Sequence, residues 1–172
     1  RAVDTGVAGL SIEDRTGTEL YPLSLAVERI QAAREAIDAT GQDVLLVGRT
    51  ENYVIGRADV NETIERLTAY AAAGADVLYA PGLPSLDAIR EVCSAVSRPV
   101  NVVAGLSGPA FSLKQLEDAG VKRVSVGSSL SRLALAAVAG AAREMRNFGT
   151  FDFARDAFPS AEINKLMKEN PR

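Results

Sequence analysis

Histidine and tryptophan are absent from the 172 residues, and there is one cysteine, Cys93. Without His there is no Ser-His-Asp or Cys-His catalysis and no His-bound zinc, and one Cys excludes an intrachain disulfide or a multi-cysteine metal site. Acid–base work must therefore fall to Asp, Glu, Lys, Tyr, the lone Cys or a metal-bound water. Basic runs are also missing: 19 Lys plus Arg stand against 22 Asp plus Glu, a net charge of −3. That balance argues against nucleic acid or an anionic membrane surface as partner and points to a small molecule. The longest apolar stretch, Leu133 to Ala142, is too short to span a bilayer, and no secretory signal opens the chain, so the expected location is the cytoplasm. Neither G-x-G-x-x-G after a strand nor G-x-x-x-x-G-K-[ST] occurs, which removes the main support for dinucleotide or P-loop nucleotide binding.

What the sequence does contain is a repeat. Gly6, Gly41, Gly74 and Gly120 each precede a short β-prone run, and before the last three a helical pattern ends, as expected of a helix C′ glycine. A further strand begins at Pro99. Between the strands run amphipathic stripes: Ala26, Ile30, Ala33 and Ile37; Ile64, Leu67 and Ala71; Leu86, Ile89 and Cys93. The longest stripe joins Leu130, Leu133, Ala134, Ala137, Val138, Ala141, Ala142 and Met145. Asp59 with Glu62, and Ser112 with Gln115, have capping-box spacing. Five strands alternating with five helices predict right-handed βαβ units and a parallel sheet, either open and doubly wound or part of a (β/α)8 barrel. A whole barrel takes about 250 residues. The first residue is Arg1 and the opening reads as a helix end entering a strand, so earlier units are expected to precede it.

In either architecture ligands bind at the carboxyl ends of the strands. The residues expected there are Glu13 and Asp14, Gly48 and Arg49, Pro81 and Gly82, Gly127 and Ser128, with Asn101 and the Ala104-Gly105 turn from the strand at Pro99. Alternation turns one of the two adjacent carboxylates inward, expected to be Glu13, as an oxygen ligand toward Mg²⁺ or as the ion-pair partner of Arg15 or Arg49. Arg49 suits bidentate capture of a carboxylate, or a structural pair with Glu51 or Glu13. Asn101 either meets a ligand oxygen or ties two strands. Gly127-Ser128-Ser129 opens a helix whose free N–H groups suit an anion, or simply a Ser cap. Cys93 reads as core, and Arg15 to Leu20 as a connecting loop or a lid.

Gly9-Leu10-Ser11-Ile12-Glu13-Asp14, Gly48-Arg49-Thr50-Glu51-Asn52, Ala73-Gly74-Ala75-Asp76-Val77-Leu78-Tyr79-Ala80-Pro81-Gly82, Pro99-Val100-Asn101-Val102 and Gly120-Val121-Lys122-Arg123-Val124-Ser125-Val126-Gly127 together resemble the isocitrate lyase and phosphoenolpyruvate mutase superfamily. Leu25-Ala26-Val27-Glu28-Arg29-Ile30 and the tail segments Gly149-Thr150-Phe151 and Ala161-Glu162-Ile163-Asn164 extend the likeness. The resemblance implies a (β/α)8 TIM-type barrel of which this chain carries roughly strands four to eight. Residues 1–146 would form the partial barrel and residues 147–172 a helical tail of the kind exchanged between subunits of a homo-oligomer, a dimer or tetramer.

It further implies Mg²⁺, with Mn²⁺ as a substitute, and an enolate made from a small α-keto or α-hydroxy carboxylate as a C–C or C–P bond is made or broken. By resemblance Glu13 holds a metal-bound water, Arg49 binds the substrate carboxylate, and Asn101 lies near the substrate, with Gly48 and Gly127 beside it. The family's metal-binding aspartates belong to earlier strands. The lyases' Lys-Lys-Cys-Gly-His loop is replaced here by Arg15 to Leu20, and their Glu after the sixth strand by Ala80-Pro81-Gly82. The expectation is thus a C–C lyase of this superfamily. Phosphonopyruvate-type chemistry is the alternative enzyme, and a non-catalytic carboxylate-binding barrel or an inactive fragment is the alternative of another class.

Overall fold

A computed structural model describes residues 1–105 and 108–169. The chain opens with a 3₁₀ turn at Val3–Thr5 that ends on Gly6. There follow β1 (Gly9–Glu13), the short strands β2 (Arg15–Thr16) and β3 (Glu19–Leu20), α1 (Leu23–Asp38), β4 (Leu45–Arg49), α2 (Val60–Ala72) and β5 (Val77–Tyr79). The series continues through α3 (Leu86–Ala95), β6 (Val100–Val103), α4 (Leu113–Asp118) and β7 (Arg123–Ser125), and closes with α5 (Ser129–Phe148), a second 3₁₀ turn and α6 (Ser160–Glu169).

β1, β4, β5, β6 and β7 form one parallel sheet in that order. Neighbours in space are neighbours in sequence, with no reversal. A doubly wound sheet reverses its order at a switch point, whereas strands around a (β/α) barrel follow each other in this way. The fold is therefore α/β with a five-stranded parallel sheet, in the order that part of a TIM-like barrel requires.

The helices begin where side chains can satisfy their first N–H groups. Asp59 accepts from the amides of Asn61 and Glu62, and Ser85 from that of Ala88. Ser112 and Gln115 complete the reciprocal capping box. At Asp59 the expected box is only half made, because Glu62 turns its carboxylate to Arg57 and Arg66. After α2 the chain turns through Gly74 at φ +105°, where only glycine is relaxed, and the space a Cβ would fill there is taken by the Arg34 side chain at 2.8 Å.

Alternation then sorts the strand residues onto two faces. Leu46, Leu78 and Val100 pack outward with Ala26, Ile30, Ile37, Leu67, Tyr70 and Val92 from α1, α2 and α3. A smaller cluster of Val102, Ile89, Leu116 and Val121 continues that layer toward β7, and Cys93 packs against both clusters, as its spacing suggests. The other face is concave and mixed, with Leu10, Val47 and Val77 beside Arg49, Tyr79, Asn101 and Ser125.

The described chain divides into two compact units, Arg1–Gly127 and Ser128–Arg172. The expected boundary at 146/147 falls within α5, and residues 170–172 of the expected tail lie outside the described residues. In the second unit Glu144 accepts from the Thr150 hydroxyl at 2.7 Å and from the amides of Asp152 and Phe153, which holds its pKa below the usual carboxylate value. None of its described helical residues is buried, so the long apolar stripe of α5 is helical as expected but uncovered. Among the described residues no helix is long and apolar enough to cross a membrane.

Candidate functional site

The concave face of the sheet encloses about 410 Å³, lined by Ser11, Val47, Arg49, Tyr79, Asn101, Ser125 and their neighbours. Strand register brings a polar row across it. Glu13 pairs with Arg49, Arg49 with Tyr79, Tyr79 with Asn101 and Asn101 with Arg123. Because parallel register places side chains of paired residues on the same face, five residues far apart in sequence become a continuous strip.

Arg49 is the centre of that strip. Its Nη1 lies 3.2 Å from Glu13 Oε1, its Nε donates to Glu51, and its guanidinium sits over the Tyr79 ring, 4.9 Å from the centroid. Burial works against its charge, but the Glu51 hydrogen bond and the nearby carboxylates outweigh that and raise its pKa. Glu51 is fully buried and also faces Arg15, whose Nε is 3.2 Å from Oε2 but off the hydrogen-bonding direction. Glu13, Arg49, Glu51 and Arg15 thus alternate in charge from the concavity to the base of the β2/β3 hairpin. The segment Arg15 to Leu20, expected as a loop, is that two-stranded hairpin.

Tyr79 ends β5, and its hydroxyl is within hydrogen-bonding reach of Ser125. Burial raises the phenol's pKa, and Arg49 beside it offsets part of the rise. Asn101 donates to Ser125 Oγ at 3.1 Å and accepts from Arg123 at 3.3 Å, so it ties β6 to β7. Of its two sequence readings, the strand tie is the one the contacts display.

Asp14 goes the other way. Its carboxylate accepts from the Glu51 amide at 2.8 Å, from Arg66 at 3.2 Å and from the Tyr70 hydroxyl. Arg66 also reaches Glu62 and the Tyr21 carbonyl, so one buried carboxylate joins β1, α2 and the loop after β4. That loop is braced by Asn52, which donates to Thr63 Oγ1 and to the Asp59 carbonyl. These braces determine where Glu51, and therefore Arg49, can sit.

The expected site residues separate accordingly. Glu13 meets the concavity through its ion pair with Arg49, and Arg49, Asn101 and Gly127 line it. Gly48 does not: a Cβ there would meet the Tyr70 Cβ at 2.8 Å and the Ala75 Cβ at 3.1 Å. Its glycine is required by close packing of β4 against α2 on the outer face. Ser128 stands at the N-cap of α5 but makes no side-chain cap bond. Among the described residues no group of three His, Cys, Asp or Glu side chains is placed to hold a metal ion, since Asp14 and Glu51 are committed to protein donors and only Glu13 remains. These residues alone do not fit a Mg²⁺ site.

Sequence reasoning missed Tyr79, Ser125, Arg66 and Tyr70. A signal for the outer pair existed: Glu62, Arg66 and Tyr70 recur every four residues, beside the buried Thr63 and Leu67. A charge at that spacing on a buried helix face needs a buried counter-charge, and Asp14 was available.

Comparison with known proteins agrees with this geometry. The family model for phosphoenolpyruvate phosphomutase matches residues 1–146. The chain is 31% identical over 158 residues to oxaloacetate decarboxylase of Marinomonas sp. (strain MWYL1), covering 86% of this chain and 53% of that protein. It is 31% identical over 128 residues to 2-methylisocitrate lyase of Escherichia coli K12, covering 69% and 43% respectively. A crystal structure from Burkholderia cenocepacia J2315, described as of a lyase/mutase, superposes with a TM-score of 0.92 at 50% identity, covering 99% of this chain and 62% of that one. The chain thus spans about half the length of the curated relatives it matches. Family model, relatives and strand order agree that the chain belongs to the phosphoenolpyruvate phosphomutase family, within the superfamily of lyases and phosphonomutases that includes isocitrate lyase.

Proposed function

We propose that this chain is part of a lyase that acts on a small α-keto or α-hydroxy carboxylate through an enolate, cleaving a C–C bond. The observation that carries this reading is Arg49, held on three sides by Glu13, Glu51 and the Tyr79 ring at the end of a strand and facing the concavity. A guanidinium fixed in this way loses little freedom when it takes a carboxylate, so its binding energy goes into orientation. The relatives named as oxaloacetate decarboxylase and 2-methylisocitrate lyase are consistent with a carboxylate substrate.

Arg49 anchors the carboxylate. Asn101 and Ser125 line the same concavity and supply hydrogen bonds where charge develops on the substrate oxygen, the step shared by decarboxylation and retro-aldol cleavage. The family model's description also supports a second reading, C–P chemistry of the phosphonopyruvate type, which needs the same anchor and the same enolate. Among the described residues of the site, Glu13 is the one that would meet Mg²⁺ or Mn²⁺.

Calorimetric titration of the full-length protein with oxalate, a small planar dicarboxylate, tests the reading. Arg49→Ala should weaken binding by about 2–4 kcal/mol, the loss expected for a charge-assisted carboxylate contact. Unchanged affinity would remove Arg49 from the site and the carboxylate reading with it.

A further inference from the structure

An enolate released by bond cleavage must take a proton at carbon, and this chain lacks the usual donors. It has no His, and Cys93 is packed in the outer layer between the sheet and its helices. Lining the concavity, the titratable side chains among the described residues are Arg49, Tyr79 and Arg123. An arginine does not give up its proton in water, and Glu13 is engaged by Arg49 and does not line the concavity.

We propose that Tyr79 is a catalytic residue, the proton donor to the enolate carbon. The inference rests on the enolate reading above. Tyr79 stands at the carboxyl end of β5, between Arg49 and Asn101 in the polar row. The guanidinium that anchors the carboxylate lies over its ring, and the Ser125 hydroxyl reaches its oxygen. In the step, the Tyr79 O–H bond breaks and a C–H bond forms from the electron pair of the enolate double bond, restoring the keto group. The negative charge passes to the phenolate, where Ser125 donates a hydrogen bond and Arg49 supplies the counter-charge, and water then returns the proton. Burial keeps the phenol protonated until it is needed.

By microscopic reversibility the same oxygen removes a methyl proton from bound pyruvate. The test is exchange of pyruvate methyl hydrogens for deuterium, followed by proton NMR in D₂O on the full-length protein, with oxalate affinity measured on the same samples. Tyr79→Phe keeps the ring beneath Arg49 and removes only the hydroxyl. Exchange should fall at least fiftyfold while oxalate affinity stays within twofold. Exchange at the wild-type rate in Tyr79→Phe would overturn the role of Tyr79 and leave the enolate reading standing. Parallel loss of oxalate binding in that variant would make the hydroxyl structural and also overturn the proposal. A wild-type protein that neither binds oxalate nor exchanges pyruvate would overturn both.

Discussion

Glu13 and Asp14 are adjacent carboxylates with opposite surroundings. Glu13 keeps 42% of its side chain exposed on the concave face, and Asp14 keeps 3% on the outer one. Asp14 is surrounded by donors: an amide, a guanidinium and a phenol. Among the described residues Glu13 has one ion-pair partner, Arg49, and that partner is shared with Glu51. The difference separates two tasks within one strand end. Outside, three donors converge on Asp14; inside, Glu13 shares one guanidinium with Glu51 and stays open to exchange for a ligand.

The largest expected effect follows from breaking the outer arrangement. Asp14→Ala would leave Arg66 with Glu62 alone as counter-charge and the Glu51 amide and Tyr70 hydroxyl without their acceptor, and should destabilise by about 3–5 kcal/mol in urea unfolding. A loss below 1 kcal/mol would mean that the outer network is not what secures the loop carrying Glu51. Gly48→Ala tests the same layer by volume. A methyl group 2.8 Å from the Tyr70 Cβ should destabilise by roughly 1–3 kcal/mol. A neutral result would show that α2 shifts freely on the sheet.

Tyr70 gives the outer layer a pH signature. Burial, and then the hydrogen bond to the Asp14 carboxylate, raise the phenol's pKa above its ordinary value near 10. Below that ordinary value both folded and unfolded chains hold the proton, and the contribution is complete. As pH rises past it the unfolded chain ionises first, so stability should fall progressively from about pH 10 upward. Thermal melting between pH 8 and 11 measures the slope, which Tyr70→Phe should flatten. The smallest effect belongs to the inner carboxylate: Glu13→Gln should change unfolding free energy by less than about 0.5 kcal/mol, as for other partly exposed ion pairs. In metal-free buffer it should tighten oxalate binding up to about fivefold by removing the competitor for Arg49. Collapse of the melting transition in that variant would erase the distinction between the two faces.

Much of this was legible in the chain. Gly41, Gly74 and Gly120 marked helix ends before strands, and the stripes Ala26–Ile30–Ile37 and Leu67–Ala71 gave the helix faces that are buried. Period-two alternation put Glu13 and Arg49 on one face and Asp14 on the other, because side-chain direction along a strand is a local property. Their pairing was one of the alternatives the sequence left open, beside Arg15 for Glu13 and Glu51 for Arg49. The packing role of Gly48 was not legible, because a glycine near a strand end looks the same whether a ligand or a helix approaches it. Only the packed Tyr70 and Ala75 distinguish the two.

The sequence by itself therefore determined the α/β alternation, the helix caps and the strand faces, since each depends on residues a few positions apart. Register was beyond it. That Tyr79 lies between Arg49 and Asn101, that Ser125 serves both, and that Arg66 crosses 52 positions to Asp14 follow from how strands and helices dock. Docking is set by the summed fit of apolar surfaces, to which these polar residues contribute no periodic pattern. The tertiary structure alone decided which charges meet.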